Sequence, residues 1–340
     1  MNRAFARTAL RVMACLAASL PVGALAGDAR DWLARMERAV ETRNYEGTFV
    51  HRAAGSMETL HVIHRVDNGV STERLFSRDQ PGREVIRSGE EVTCIFADQK
   101  AVLVERREAR QTSPLRAALP QFSPRLDQWY EFRVAGEGAQ LGRTATVVEI
   151  RSRDARRYSH RLWLDQESAM PLKVQLLDEA GRPVEELHFV TITLPDAIPE
   201  ERLKPAVSTD EFTWYTTQEG AHSHAGGEMR PTWAAHDLPR GFELKVAHQQ
   251  LLPGADHPVE HLVYTDGLAS VSVFVEPAGE GEAGMSGLSH IGAAHAFSAV
   301  LYDHQVTVVG EVPASTVEAI ALSMAPLAAG VPGQPAGEPR

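Results

Sequence analysis

His257-Pro258-Val259-Glu260-His261 has the H-x-x-E-H spacing that holds zinc in one class of proteases. That chemistry needs both histidines one turn apart on a helical face. Pro258 follows the first histidine directly, and Leu262-Val263-Tyr264 runs on as a strand, so the residues read as a strand edge with surface histidines. Gly279-Glu280-Gly281-Glu282-Ala283-Gly284 matches G-x-G-x-x-G. Two glutamates inside that loop oppose a phosphate, and Met285-Ser286-Gly287 is a poor helix start. His222-Ser223-His224 could chelate a metal from an extended segment, but only Glu219 and Glu228 lie nearby, which favours adventitious binding. His61 and His64 are three apart in a strand and point to opposite faces, and the adjacent pairs Glu90-Glu91 and Glu185-Glu186 split likewise. The sequence has no G-x-S-x-G and no C-x-x-C. The expectation is no catalytic set, no metal site and no cofactor.

Two basic runs and an apolar segment remain. Arg151, Arg153, Arg156, Arg157 and Arg161 flank a hairpin tip at Asp154-Ala155. Arg106, Arg107, Arg110 and Arg116 border the segment Glu108 to Gln128, where Leu115, Leu119, Phe122 and Leu126 are spaced between Pro114, Pro120 and Pro124. That segment is too long for a hairpin turn and too apolar for a solvated loop, and reads as a flap over one mouth of a sheet. Leu115, Leu119, Phe122, Leu126 and Trp129 are therefore candidates for lining a lipid cavity. Arg106, Arg107, Arg153, Arg156 and Arg157 are candidates for holding an anionic group by forked guanidiniums. The competing reading of both runs is a solvated hairpin and loop.

The elements that must position these residues are short. Asp31 to Thr42 has helical apolar spacing (Trp32, Leu33, Met36, Ala39, Val40). From Tyr45 to Thr193 about eleven alternating runs follow, separated by turns such as Asp67-Asn68-Gly69. No pattern long enough for a crossover helix lies between them, so the sheet is antiparallel. The expected fold is mainly β (α+β): a large curled sheet or half-open barrel around a helix, then a smaller antiparallel sheet with a C-terminal helix. Thr216 to Thr232 reads as a polar linker, Ala314 to Ala325 as the last helix, with Pro313 at its start, and Ala328 to Arg340 as a disordered tail.

Arg3, Arg7 and Arg11, the apolar run Val12 to Leu20, and Ala24-Leu25-Ala26 form an export signal cleaved after Ala26. Val12-Met13-Ala14-Cys15 is a weaker alternative, a lipoprotein box. Cleavage leaves Cys94 alone, so the chain folds without an internal disulfide. Residues Gly27 to Glu200 carry 25 Lys and Arg against 28 Asp and Glu, and Glu201 to Arg340 carry 6 against 17. A strongly acidic second part argues against nucleic acid as partner.

An ordered series of strings resembles the RseB/MucB family of periplasmic sigma-E (AlgU-type) factor regulators. In the first part these are Asp31-Trp32-Leu33, Tyr45-Glu46-Gly47-Thr48-Phe49-Val50, Arg83-Glu84-Val85-Ile86-Arg87, Trp129-Tyr130-Glu131-Phe132 and Leu162-Trp163-Leu164-Asp165. In the second they are Leu238-Pro239-Arg240-Gly241-Phe242, Tyr264-Thr265-Asp266-Gly267-Leu268-Ala269 and Val306-Thr307-Val308-Val309-Gly310-Glu311-Val312-Pro313. The resemblance implies a LolA-like lipid-sensing domain over 27–205, a linker over 206–232 and an anti-sigma-binding domain over 233–327. It implies a non-enzyme in the periplasm that binds the periplasmic segment of a membrane anti-sigma factor (RseA/MucA type). There it shields that segment from site-1 proteolysis until lipopolysaccharide or lipoprotein acyl chains loosen the grip. Alternatives are a lipid or lipoprotein carrier and an exported metal-dependent hydrolase. The oligomeric state is left open, a homo-oligomer included.

Overall fold

The computed structural model describes residues 28–53, 55–79, 83–106, 115, 119–120, 124–217, 230–250, 257–279 and 286–327. The export signal, Arg107, Phe122, the His222–His224 segment and the C-terminal tail lie outside the described residues.

Helix α1 (Ala29–Thr42) starts at Asp28, whose carboxylate accepts the Arg30 N–H at 3.1 Å. Its buried stripe is the one the spacing predicts: Trp32, Leu33, Met36, Ala39 and Val40. Eleven strands then run as antiparallel neighbours: β1 (Tyr45–Ala53), β2 (Ser56–Asp67), β3 (Val70–Ser77), β4 (Arg83–Ser88), β5 (Glu91–Phe96), β6 (Ala101–Arg106), β7 (Tyr130–Gln140), β8 (Arg143–Ser152), β9 (Ser159–Asp165), β10 (Pro171–Leu177) and β11 (Pro183–Thr193). They join β12 (Thr213–Thr217) in a twelve-stranded sheet ordered β12-β6-β5-β4-β3-β2-β1-β11-β10-β9-β8-β7. Helix α1 covers the inner face near β7 and β8. Between them lies one core that includes Phe49, Val148, Leu162, Leu172, Val174 and Phe189. Burying such side chains contributes about 1.5–3 kcal/mol each.

The second domain is a six-stranded antiparallel sheet: β14 (Glu243–Gln250), β15 (Val259–Thr265), β16 (Ser270–Pro277), β17 (Gly287–Ile291), β18 (Ala294–Leu301) and β19 (His304–Gly310), ordered β14-β15-β16-β19-β18-β17. Helix α2 (Ala314–Leu322) lies against β18 and β19, with Val317 and Ile320 in a core with Leu262, Val273 and Val308. A short ribbon, β13 (Trp233–Ala235) with β20 (Met324–Pro326), closes one end.

Three details differ from the sequence reading. Residues Thr213 to Thr217, at the head of the expected linker, form β12, which pairs in parallel with β6. The strand expected within Ser286–Ser298 is a hairpin of two, β17 and β18. Helix α2 stops at Leu322, because Pro326 pushes Ala325 toward extended backbone and β20 pairs with β13 instead.

Candidate functional site

The chemistry-bearing residues gather where the two domains meet. Arg157 follows the β8–β9 hairpin tip, and the fold buries it to 1% exposure. Its Nη1 donates to Asp266 Oδ2 at 2.6 Å, its Nη2 to the Arg240 carbonyl at 2.6 Å and its Nε to Asp154 Oδ1 at 3.2 Å. The rings of Trp129, Tyr130 and Phe242 surround the guanidinium, with centroids 5.6, 5.6 and 5.2 Å away. Asp266 is equally committed. Its Oδ2 also accepts the Tyr130 hydroxyl at 3.0 Å, and its Oδ1 accepts the N–H groups of Leu268 and Ala269 at 2.8 Å each. Both members of the pair have side chains at 0% exposure, so removing Arg157 strands a buried carboxylate at a cost of about 3–5 kcal/mol, and removing Asp266 leaves Arg157 only the part-exposed Asp154 as carboxylate partner.

Backbone shape makes this approach possible. Gly241 has φ +89°, and a Cβ there would lie 2.2 Å from Trp129 Nε1. Only glycine lets the second domain's chain lie flat on that indole. Around this centre the Arg156 carbonyl accepts the Thr316 hydroxyl of α2 at 2.9 Å, and Tyr158 Oη lies 3.2 Å from His295 Nδ1. Leu268 from the Asp266 turn packs onto the first domain's core.

Beside the pair the domains enclose a cavity of about 390 Å³. Its apolar lining includes Leu119, Val174, Leu176, Leu187 and Leu268. Its polar lining includes His160, Glu185 and Glu311, and a smaller void of about 240 Å³, which Tyr158 also lines, adjoins it at His160, Leu268 and Glu311. Glu185 Oε1 lies 2.6 Å from His51 Nε2, and this hydrogen bond holds the imidazole pKa above its usual value. Burial, and then the facing Glu185 carboxylate, push the Glu311 carboxyl up. Burial pulls His160 down to about 4.

The sequence candidates fall into two groups here. Leu115 and Leu126 are buried at 0% and 1%, and with Leu119 and the partly buried Trp129 they belong to the first domain's core. The flap leucines thus cap the inner face, and Leu119 also borders the cavity between domains. Arg153, Arg156 and Arg157 come together at the junction. Arg153 Nε donates to the Asp127 and Tyr130 carbonyls at 3.3 and 3.2 Å, and Arg156 Nη2 lies 3.7 Å from Asp237. Arg106 is not among them: it ends β6, beside the β12 edge of the sheet. His261 lies in strand β15, stacked on Phe274 at 4.4 Å, so the H-x-x-E-H residues do not form a helical zinc motif. Among the described residues no cluster of His, Cys, Asp or Glu has the arrangement to hold a metal ion.

Sequence reasoning missed Asp266, Tyr130, Phe242 and the Arg240 carbonyl as partners of Arg157, and Gly241 as the seat of Trp129. Asp266-Gly267 showed only as a turn, and no spacing signal connects it to an arginine 109 residues away.

The chain's comparisons with known proteins agree with one another. The family model described as the MucB/RseB N-terminal domain matches residues 28–207, and the MucB/RseB C-terminal domain model matches 228–325. The sigma factor AlgU regulatory protein MucB of Pseudomonas aeruginosa is 36% identical over 313 residues, covering 89% of this chain and 93% of that protein. The sigma-E factor regulatory protein RseB of Escherichia coli K12 is 27% identical, covering 85% and 88%. A crystal structure of MucB in complex with MucA(peri) covers 89% of this chain and 100% of that one at 32% identity, with a TM-score of 0.70. A crystal structure of MucB alone gives 0.56 at the same identity, covering 88% and 98%. The chain belongs to the MucB/RseB family of sigma-factor regulatory proteins.

Proposed function

We propose that this chain is a periplasmic negative regulator of an envelope-stress sigma factor. It binds the periplasmic segment of a membrane anti-sigma factor of the MucA/RseA type and shields that segment from site-1 proteolysis. Lipid, as lipopolysaccharide or lipoprotein acyl chains, enters the first domain under Leu115, Leu119 and Leu126 and loosens the grip. The observation that carries the reading is the likeness, along both domains, to MucB solved with MucA(peri).

The junction supplies a physical route for the coupling. Leu119 borders both the core under the flap and the cavity between the domains. A lipid that displaces it disturbs the packing of Leu268 and the Asp266 turn, on which Arg157 depends. Lipid and anti-sigma segment then disfavour each other by one coupling free energy of about 1–3 kcal/mol, felt equally from both sides. Isothermal titration of the chain from Gly27 onward with the anti-sigma periplasmic segment tests this. Heat of a stoichiometric complex, weakened roughly 5- to 150-fold by lipopolysaccharide, is expected. Absence of a complex contradicts the reading, and a complex indifferent to lipid removes its second half.

A further inference from the structure

The outer face of the large sheet, opposite α1 and the flap leucines, carries an unusual charge arrangement. Glu149 of β8 stands directly across from Arg133 of β7 and from Arg161 of β9. Arg151 lies two residues on along β8, on the same face. Each of the three arginines gives its Nε–H to this one carboxylate: Arg133 and Arg151 to Oε2 and Arg161 to Oε1, all at 2.8 Å. The Glu149 side chain is 5% exposed, whereas those of Arg133, Arg151 and Arg161 are 41%, 48% and 32% exposed. Burial works against the Glu149 charge, but the guanidiniums outweigh it and hold the carboxyl below the usual range. Glu149 is therefore a fixed anion.

One arginine is enough to neutralise a carboxylate. Three leave a surplus of positive charge at this carboxylate, offset in part by Glu131 directly across from Arg151, on a chain whose net charge is −11. The Nε atoms are spent on Glu149, and the terminal nitrogens of Arg151 and Arg161 have no hydrogen-bond partner among the described residues. These forks are held in place by a buried group and need little further ordering to grip a tetrahedral oxyanion. They border an open groove of about 570 Å³ that Arg153, Ser152 and Ser159 also line. Of the acids in that groove, Asp178 is engaged by Arg182 and Asp154 by Arg157, while Glu179 stands at its far rim on the β10–β11 turn.

We propose that Arg151 and Arg161, set in place by Glu149 with Arg133 beside them, form a binding site for a phosphate group on the outer face of β7–β9. The site does not depend on the lipid-regulated reading above, since it lies on the opposite face from the flap leucines. The ligand chemistry is a phosphate ester or free phosphate. A phospholipid headgroup and a soluble polyphosphate both offer it.

The test uses the chain from Gly27 onward, with inorganic pyrophosphate in calorimetry and flotation with vesicles of phosphatidylcholine with or without phosphatidylglycerol. Binding to pyrophosphate alone assigns the soluble source. Capture by phosphatidylglycerol vesicles that pyrophosphate competes away assigns the headgroup. Arg151→Gln with Arg161→Gln should weaken whichever binding is seen by roughly tenfold or more. Arg151→Lys with Arg161→Lys should restore only part, because the fork is gone. Glu149→Gln separates a built site from diffuse attraction. It adds a positive charge, so diffuse attraction predicts tighter binding, whereas loss of the anchor predicts weaker binding. Thermal melts of each variant confirm folding, and should Glu149→Gln not fold, the arginine pairs decide. Neither ligand binding, an unchanged double glutamine variant, or tighter binding by a folded Glu149→Gln overturns the proposal.

Discussion

Asp266→Asn should undock the two domains without unfolding either. The amide keeps the shape of the side chain, and its oxygen can still accept the Leu268 and Ala269 N–H groups that Asp266 Oδ1 accepts at 2.8 Å. It loses the charge that Arg157 Nη1 meets at 2.6 Å, and it places an N–H donor where Oδ2 accepts the Tyr130 hydroxyl. Neither partner's side chain is exposed, so water does not screen the loss. Leaving Arg157 with the part-exposed Asp154 as its remaining carboxylate partner costs about 3 kcal/mol, the low end for a broken buried pair. At about 1.4 kcal/mol per factor of ten, the docking equilibrium moves by at least roughly a hundredfold toward separated domains. Small-angle scattering should show a larger radius of gyration, and the amides of Leu268 and Ala269 should lose hydrogen-exchange protection. The cores around α1 and α2 should keep theirs. Arg157→Met with Asp266→Leu removes both charges into a setting of aromatic rings, and should recover most of the docking. If Asp266→Asn scatters and exchanges as the parent chain does, the buried pair does not hold the domains together.

Gly241→Ala should loosen the same junction by about 2–4 kcal/mol, through the positive φ and the clash with Trp129, read as a lowered melting temperature. Leu115→Ala should cost about 2–5 kcal/mol in the first domain and increase uptake of a fluorescent fatty acid, because Leu115 is fully buried in the first domain's core. The His51 pKa is raised by Glu185, so its stabilisation is fully present below the unfolded value and is lost as pH rises through the folded one. The parent chain should therefore lose melting temperature as pH rises above the ordinary imidazole value of about 6.5, and His51→Gln should flatten that slope. Glu311 sits in the same cluster with Glu185, His51 and His160, and burial holds its carboxyl up. Glu311→Gln should stabilise the chain near about pH 7 and lose that advantage as pH falls through the carboxylate range. His160, held near 4, opposes both trends only as pH falls below its ordinary value of 6.5.

The elements were legible wherever one local pattern decides them. The period of Trp32, Leu33, Met36, Ala39 and Val40 is enough for α1, because one face must be buried. Alternation in Thr144–Arg151 and Tyr158–Asp165 placed β8 and β9 for the same reason. Strand β12 was not legible: Thr213 to Thr217 carries exposed Trp214 and Tyr215, and its place is fixed by pairing with β6, about 110 residues earlier. The arginines show the limit most clearly. Arg156 and Arg157 look like a solvated pair or a ligand grip, yet Arg157 is spent on Asp266. Arg133, Glu149 and Arg161 look unrelated until the register of three strands sets them side by side. Which carboxylate an arginine meets depends on tertiary register, and composition does not carry that information. The split of Glu185 from Glu186 was legible, because strand alternation alone sends one toward the cavity and the other to Lys173 on the outer face.

The regulatory account turns on protection of a partner. The anti-sigma factor's periplasmic segment, incubated with the site-1 protease, should be cut quickly alone, slowly with the chain from Gly27 onward, and quickly again once lipopolysaccharide is added. Cleavage of the segment at the same rate with and without the chain would contradict the account.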